Sequence, residues 1–131
     1  MRPTTILLAI ILLASSLAFT LQKVWQDYPD AVTADPEHYS VEFENDVVRV
    51  LRIRYGPGET SVMHRHPANC AIFITPAVAT FELPDGETVD ATGTAGQVQC
   101  GDAEVHLPTN VGDEPLEVIA VELKGRDVFS Q

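Results

Sequence analysis

The sequence predicts an all-β protein in which one closed barrel or double-sheet jelly roll holds most of the chain. From residue 41 onward, short segments rich in Val, Ile, Phe and Thr recur, each ended by Gly, Pro, Asn or Asp. No convincing amphipathic helix interrupts them. The length of 131 residues suits one compact domain. Because strands this short must pair with each other to hide their edges, a closed architecture is expected.

Nine strands are predicted in chain order. They cover residues 41–44, 47–55, 61–66, 70–75, 78–83, 88–91, 97–100, 104–107 and 116–123. Between the fifth and sixth, Pro-Asp-Gly-Glu at 84–87 indicates a tight turn. In the second strand the alternation of apolar and polar residues slips by one at Leu51, which predicts a bulge. Its three arginines are then expected to face outward: Arg49, Arg52 and Arg54.

The N-terminus has the layout of a secretory signal, with Arg2, an apolar run over 6–14 and small residues at 16–18. We predict a signal peptide over residues 1–18. An uncleaved anchor is the alternative, but 6–19 is only 14 residues, and a membrane-spanning helix needs roughly 17 to 25. The mature protein is therefore expected to be exported, to the periplasm or beyond the cell, without a stable membrane span after processing.

The rest of the chain divides into three parts. Residues 19–40 predict an irregular arm or a short edge strand, residues 41–124 the barrel, and residues 125–131 a loose tail. The net charge of −11 argues against nucleic acid or an anionic membrane as a partner, since both require basic patches.

The candidate functional residues of this sequence are histidines. In His64-Arg65-His66 both imidazoles project from the same strand face, because side chains two residues apart share a face. Val62 has the same parity and the neighbouring strands are apolar, so we expect that face to be the inner one. Arg65 then faces outward, to solvent or a dimer interface. His38, in the arm, is expected at the surface.

His106 lies on the strand after the turn at 101–103 and can complete a three-imidazole site. Three imidazoles plus solvent suit a divalent transition metal, namely Zn, Fe, Ni, Cu or Mn. The alternative is a metal-free barrel in which the histidines hydrogen-bond to each other or to water.

These motifs resemble those of the cupin superfamily: Gly58, five residues, His64-x-His66, and then Gly96, a turn, His106 and Asn110. Residues 35–124 are similar to small single-domain bacterial cupins, especially at 42–52 and 55–59. The resemblance implies one cupin-type double-stranded β-helix, a metal held by the three histidines, and a homodimer. It implies that Asn110 fixes a turn.

The sequence departs from the cupin pattern at one metal ligand. In cupins a Glu shortly after the His-x-His pair also holds the metal, and its place here falls at Cys70 or Ala71. Three replacements stay open: the Cys70 thiolate, Glu104, which shares strand parity with His106, or water.

Cys70 and Cys100, the only two cysteines, would meet an oxidising environment after export. The topology implied by the resemblance pairs the strand that begins at Cys70 with the strand that ends at Cys100. A disulfide is then one alternative, and two buried free thiols are the other. A disulfide would prevent Cys70 from binding the metal.

Three functions remain open from the sequence. The first is a binding or sensing module that holds a metal and a small-molecule ligand. The second is a metal-dependent enzyme, an oxygenase, hydrolase or isomerase acting on a small molecule. The third is a metal-free structural barrel. The fold does not choose among them, because one fold hosts many functions.

Overall fold

The computed structural model describes residues 26–126, which form nine strands and one short helix. The elements are α1 (Ala31–Ala34), β1 (Tyr39–Glu44), β2 (Val48–Tyr55), β3 (His64–His66), β4 (Asn69–Phe73), β5 (Ala77–Glu82), β6 (Thr88–Gly93), β7 (Val98–Gly101), β8 (Glu104–Asn110) and β9 (Leu116–Leu123). The expected signal peptide, 1–18, and the tail from 127 lie outside the described residues.

The strands form two antiparallel sheets. One sheet has the order β1-β2-β9-β4-β7 and the other the order β3-β8-β5-β6. Buried side chains from both sheets form a single core, to which β2 contributes Leu51, β9 contributes Val118 and β5 contributes Ala79. This arrangement confirms the predicted all-β jelly roll of the cupin type.

Strand β9 shows how the alternating sequence produces the core. Its even-numbered residues, beginning with Leu116 and Val118, are buried, and its odd-numbered residues are less buried. Successive side chains of a strand point to opposite faces, so this alternation gives the sheet one inner face. The last even position is Glu122, a carboxylate on a face that is otherwise apolar.

The predicted bulge in β2 was wrong. Strand β2 pairs with β9 in an unbroken register from Val48 to Tyr55, and the irregularity lies in β1, between Val41 and Phe43. Arg49 shares the inward face with Leu51, and its side chain is only 17% exposed because it is paired with acidic groups. What looked like a slip in the alternation is an arginine that faces inward.

The prediction that placed Val62 on a strand was also wrong. Strand β3 begins at His64, and Val62 precedes it with 50% of its surface exposed. The pair His64 and His66 nevertheless faces inward, with exposures of 0% and 3%.

The described part of the N-terminal arm contains α1 and the start of β1. Asp30 caps α1 by accepting a hydrogen bond from the Val32 amide. The Arg65 side chain points away from the histidines, as expected, but it donates to the Tyr28 carbonyl at 2.8 Å. Arg65 is therefore covered by the arm. Within residues 26–126, no helix has the length and apolarity that crossing a bilayer requires.

Candidate metal site

The fold brings His64, His66 and His106 together. Strand β3 pairs antiparallel with β8, and this register sets His64 directly opposite His106. The three ring centroids are 4.8 to 5.2 Å apart, and one potential ligand atom from each histidine lies within 4.8 Å of the others. All three side chains are buried. In the part of the chain that the structure describes, this is the one group of three or more potential ligands with such geometry.

The hydrogen bonds of His64 and His66 fix which ring nitrogen carries a proton. His64 Nδ1 lies 2.8 Å from the Val62 carbonyl oxygen, which can only accept. His66 Nδ1 lies 2.7 Å from Oε1 of Glu122, and that carboxylate also accepts from the Arg49 guanidinium. Both Nδ1 atoms can therefore donate, and each neutral ring then has its lone pair on Nε2.

The two lone pairs converge. His64 Nε2 and His66 Nε2 are 3.0 Å apart, and two bare nitrogen acceptors at this distance repel each other unless a proton or a metal cation lies between them. His106 Nδ1 is buried and makes no hydrogen bond of normal geometry with the described residues, and the nearest acidic oxygen, Glu104 Oε2, lies 3.4 Å away. Three buried imidazoles, each able to direct one nitrogen into the same small space, fit a divalent transition metal.

Burial favours the neutral form of His64 and of His106. It lowers the pKa of His64 from 6.5 to about 3, and the neighbouring His66 and His106 reinforce the shift because positive charges there would repel. Burial also lowers the pKa of His106, although the adjacent Glu104 carboxylate opposes that shift. Neutral imidazole is the form that binds metal, so His64 remains competent well below neutral pH, and the shift at His106 acts in the same direction.

Glu122 is a site residue that the sequence reasoning missed. Its side chain is 1% exposed, and its two oxygens bind different partners, His66 Nδ1 at 2.7 Å and Arg49 Nε at 2.6 Å. Arg49 extends this hydrogen-bond network, since its two terminal nitrogens bind the Asp30 carboxylate. The alternation in β9 did indicate that Glu122 faces inward with Val118 and Ala120. Its partners, however, lie far away in the sequence, so they could not be identified from the local pattern.

The structure bears on two of the alternatives for a fourth metal ligand, Cys70 and Glu104. Cys70 and Cys100 are directly opposite each other on β4 and β7 and form a disulfide. The alternative in which a Cys70 thiolate binds the metal is therefore wrong. Glu104 does not join the ligand cluster, and its Oε2 lies 3.4 Å from His106 Nδ1 with its side chain 42% exposed. Burial alone would raise the pKa of Glu104, but His106 and His66 outweigh it and hold that pKa below its usual value.

A cavity of about 240 Å³ lies between the sheets and is bordered by His66 and His106. This volume is slightly below the roughly 300 to 1,000 Å³ of typical small-molecule pockets. Five alanines leave the space open, and four aromatic rings and several aliphatic side chains make most of its wall apolar. The alanines are Ala71, Ala77, Ala79, Ala91 and Ala120. Among the described residues that line it, Glu104 alone carries a formal charge, so the space suits a small, mostly apolar molecule.

Two residues outside the cluster were also assigned from the sequence. The expectation that His38 lies at the surface was wrong, since it is half-buried, stacks on Tyr55 at 4.3 Å and binds Asp35 and Glu59. Asn110 is 1% exposed and holds the surrounding loops through its carboxamide, as the resemblance implied.

Solved structures share this fold. A cupin domain from Bordetella pertussis matches with a TM-score of 0.62 at 24% identity, covering 75% of this chain and 97% of that one. A double-stranded β-helix domain protein from Klebsiella pneumoniae matches with a TM-score of 0.55 at 24% identity, covering 70% and 80%. A cupin family protein from Methanocaldococcus jannaschii gives 0.51 at 21% identity, covering 65% and 79%. No family model and no curated protein matches the sequence. At these identities the likeness establishes the cupin fold alone.

Proposed function

We propose that the protein is an exported small cupin that binds a divalent transition metal through His64, His66 and His106 and holds a small molecule in the adjacent cavity. The observation that carries this proposal is the 3.0 Å approach of the His64 and His66 Nε2 lone pairs. In both neutral rings the proton is on Nδ1, where it forms a hydrogen bond, so neither Nε2 atom is protonated. A bound cation turns this repulsion into attraction.

The metal would be held by imidazole ligands, with its remaining positions open to water or to a molecule in the cavity. Three neutral imidazoles favour Zn, Fe, Ni, Cu or Mn over Ca or Mg, which prefer oxygen ligands. Bound there, the metal supplies Lewis acidity toward a ligand donor atom. The chain itself contributes the buried histidines, the Glu122 contact to His66 and the apolar wall.

The test is elemental analysis of the full chain produced without an affinity tag. We expect close to one metal per chain, and a loss of most of it in His64→Ala and in His106→Ala. His38→Ala is the matched control, since it removes the fourth histidine of the chain, which lies outside the cluster. Absence of metal from the wild-type chain, even after incubation with each candidate ion, would refute the proposal in favour of a metal-free structural barrel.

A metal-dependent enzyme is the second candidate, and the cavity is the observation that favours it. His66 and His106 border a space large enough for a small substrate, and Glu104 is an acidic group beside them. Oxygen uptake or product formation in a small-molecule screen with metal-loaded protein would support an oxygenase, hydrolase or isomerase. Stable binding of compounds without turnover would leave the binding module.

Export and self-association are part of the proposal as well. The N-terminal sequence pattern supports export, and the disulfide is consistent with an oxidising compartment. Cell fractionation, with N-terminal sequencing of the mature form, tests cleavage after Ala18. The homodimer rests on the resemblance, and sedimentation of the mature protein tests it.

A further inference from the structure

We infer that Glu122 and Arg49 are positioning residues for His66. In this inference, which rests on the metal binding proposed above, the pair holds His66 with its proton on Nδ1 and its Nε2 lone pair directed into the histidine cluster. The metal affinity of the site then depends on two side chains that do not touch the metal.

The contacts of Glu122 use both of its oxygens. Oε1 accepts from His66 Nδ1 at 2.7 Å, and Oε2 accepts from Arg49 Nε at 2.6 Å. With 1% of the side chain exposed, water does not replace either partner. The carboxylate is therefore held in one orientation, and so is the ring that donates to it. A hydrogen bond of this kind to a metal-binding histidine fixes its tautomer and increases its basicity.

Arg49 is itself fixed from two sides. Its Nε faces Glu122, and its two terminal nitrogens bind the carboxylate of Asp30, with Nη1 at 3.1 Å from Oδ1. Burial alone would lower the pKa of Arg49, but the two acidic partners outweigh it and raise the pKa further above its usual value. Arg49 thus remains a cation that balances the negative charge of Glu122. Its N–H groups donate to Glu122 and Asp30 rather than to the histidine nitrogens.

Stability alone does not account for this pair. Arg49 and Glu122 are directly opposite each other on β2 and β9, and no other charged residue lies on the inward face of these two strands. Replacing a buried ion pair with apolar residues of similar size is often neutral or stabilising. The hydrogen bond from His66 to Glu122 gives this ion pair a role besides stability, because it orients the His66 ring.

The decisive substitution is Glu122→Gln, which keeps the shape and removes the charge. Arg49 can only donate, so it takes the amide oxygen, and the amide NH₂ group then faces His66 Nδ1. That nitrogen must accept, which transfers the ring proton to Nε2 and blocks the ligand atom. We expect the metal affinity to fall about 10-fold to 100-fold.

The first readout is the nitrogen-15 NMR spectrum of the histidine side chains in the metal-free full chain above neutral pH. We expect His66 with its proton on Nδ1 in the wild type and on Nε2 in Glu122→Gln. The second readout is the dissociation constant for Zn²⁺, measured by competition with a chelating dye. Glu117→Gln is the matched control, since it is the same change on the outer face of β9, where Glu117 binds Arg52. It should alter neither readout.

The outcomes are distinguishable from those of the proposed function. A wild-type chain that does not bind Zn²⁺ refutes the metal site, yet the tautomer of His66 still decides whether Glu122 controls it. A wild-type His66 with its proton on Nε2 overturns the inference without any variant, even if Glu122→Gln does not fold. An unchanged tautomer and a Zn²⁺ affinity within twofold in folded Glu122→Gln overturn it as well.

Discussion

Tyr39 packs edge-on against His64, with ring centroids 4.8 Å apart and ring planes at 71°. Tyr39 is the first residue of β1 and is itself 2% exposed, so it closes the histidine cluster from the side of the N-terminal segment. This contact helps to exclude water from His64, whose exposure is 0%, and exclusion of water is the main reason that His64 resists protonation.

The metal-free protein is expected to lose stability as the pH falls below 6.5. The pKa of His64 is lowered from 6.5 to about 3, so in this window the unfolded chain takes up a proton that the folded chain does not. Each pH unit then removes about 1.4 kcal/mol of the free energy of unfolding. Urea unfolding with a chelator between pH 6.5 and about 5.5 measures this slope, in a range where carboxylates with ordinary pKa values stay mostly ionised.

His64→Gln should reduce that pH slope, because the residue that takes up the proton on unfolding is gone. His106, whose pKa is also lowered by burial, leaves part of the slope in place. Equal slopes for the wild type and His64→Gln would show that His64 titrates normally in the folded protein.

Bound metal is expected to raise the stability of the fold. A ligand that binds only the folded state stabilises it by about 2.7 kcal/mol at 100 times its dissociation constant. Thermal unfolding with added metal, and then with a chelator, measures the difference. His66→Ala should abolish the shift while His38→Ala retains it, and a shift that persists in His66→Ala would place the binding elsewhere.

Loss of the disulfide should destabilise the protein without affecting metal binding. The bridge closes a loop with a sequence separation of 30 residues, and constraint of the unfolded chain by such a loop is worth about 3 to 4 kcal/mol. The double variant Cys70→Ser with Cys100→Ser should lose about that much in urea unfolding. Titration of the denatured wild type without reductant should find no free thiol, and metal lost in the double variant would reinstate a cysteine ligand.

Asn110→Ala should destabilise the loops at one end of the barrel. The Asn110 amide group donates to the carbonyls of Tyr55, Gly56 and Glu114, and its oxygen accepts from the Gly112 amide. Truncation leaves several of these groups unsatisfied, at a cost of about 2 to 4 kcal/mol in the free energy of unfolding. The metal content should stay unchanged, since Asn110 does not contact the three histidines.

The sequence predicted those parts of the site that depend on local geometry. Alternation along one strand was enough to place His64 and His66 on the same face. His106 was added as a candidate from its place on a later predicted strand, and the motif resemblance implied the same role. The Glu122 contacts required the register of β2 against β9, which joins Arg49 and Glu122 across 73 residues. Local periodicity carries no information about such a register. Arg49 was assigned to the wrong face because a bulge was predicted at Leu51, where the structure has an unbroken register.

The cavity could not be predicted for a related reason. Each alanine along its wall fits an ordinary strand pattern, and only the pairing of the sheets shows that Ala71, Ala79 and Ala120 line the same space. These small side chains leave the space of the cavity unfilled, and that space can be recognised only when the positions of the opposite walls are known.

The segment before α1 also limits how two copies can associate. The Arg65 amide donates to the Pro29 carbonyl, and Asp30 forms a parallel bridge with Arg65. The outer edge of β3 is therefore already engaged by its own chain and does not offer its backbone to a neighbour. Strand addition between copies would have to use the edge of β1, β6 or β7 among the described strands, so β3, which carries His64 and His66, would not form such a seam.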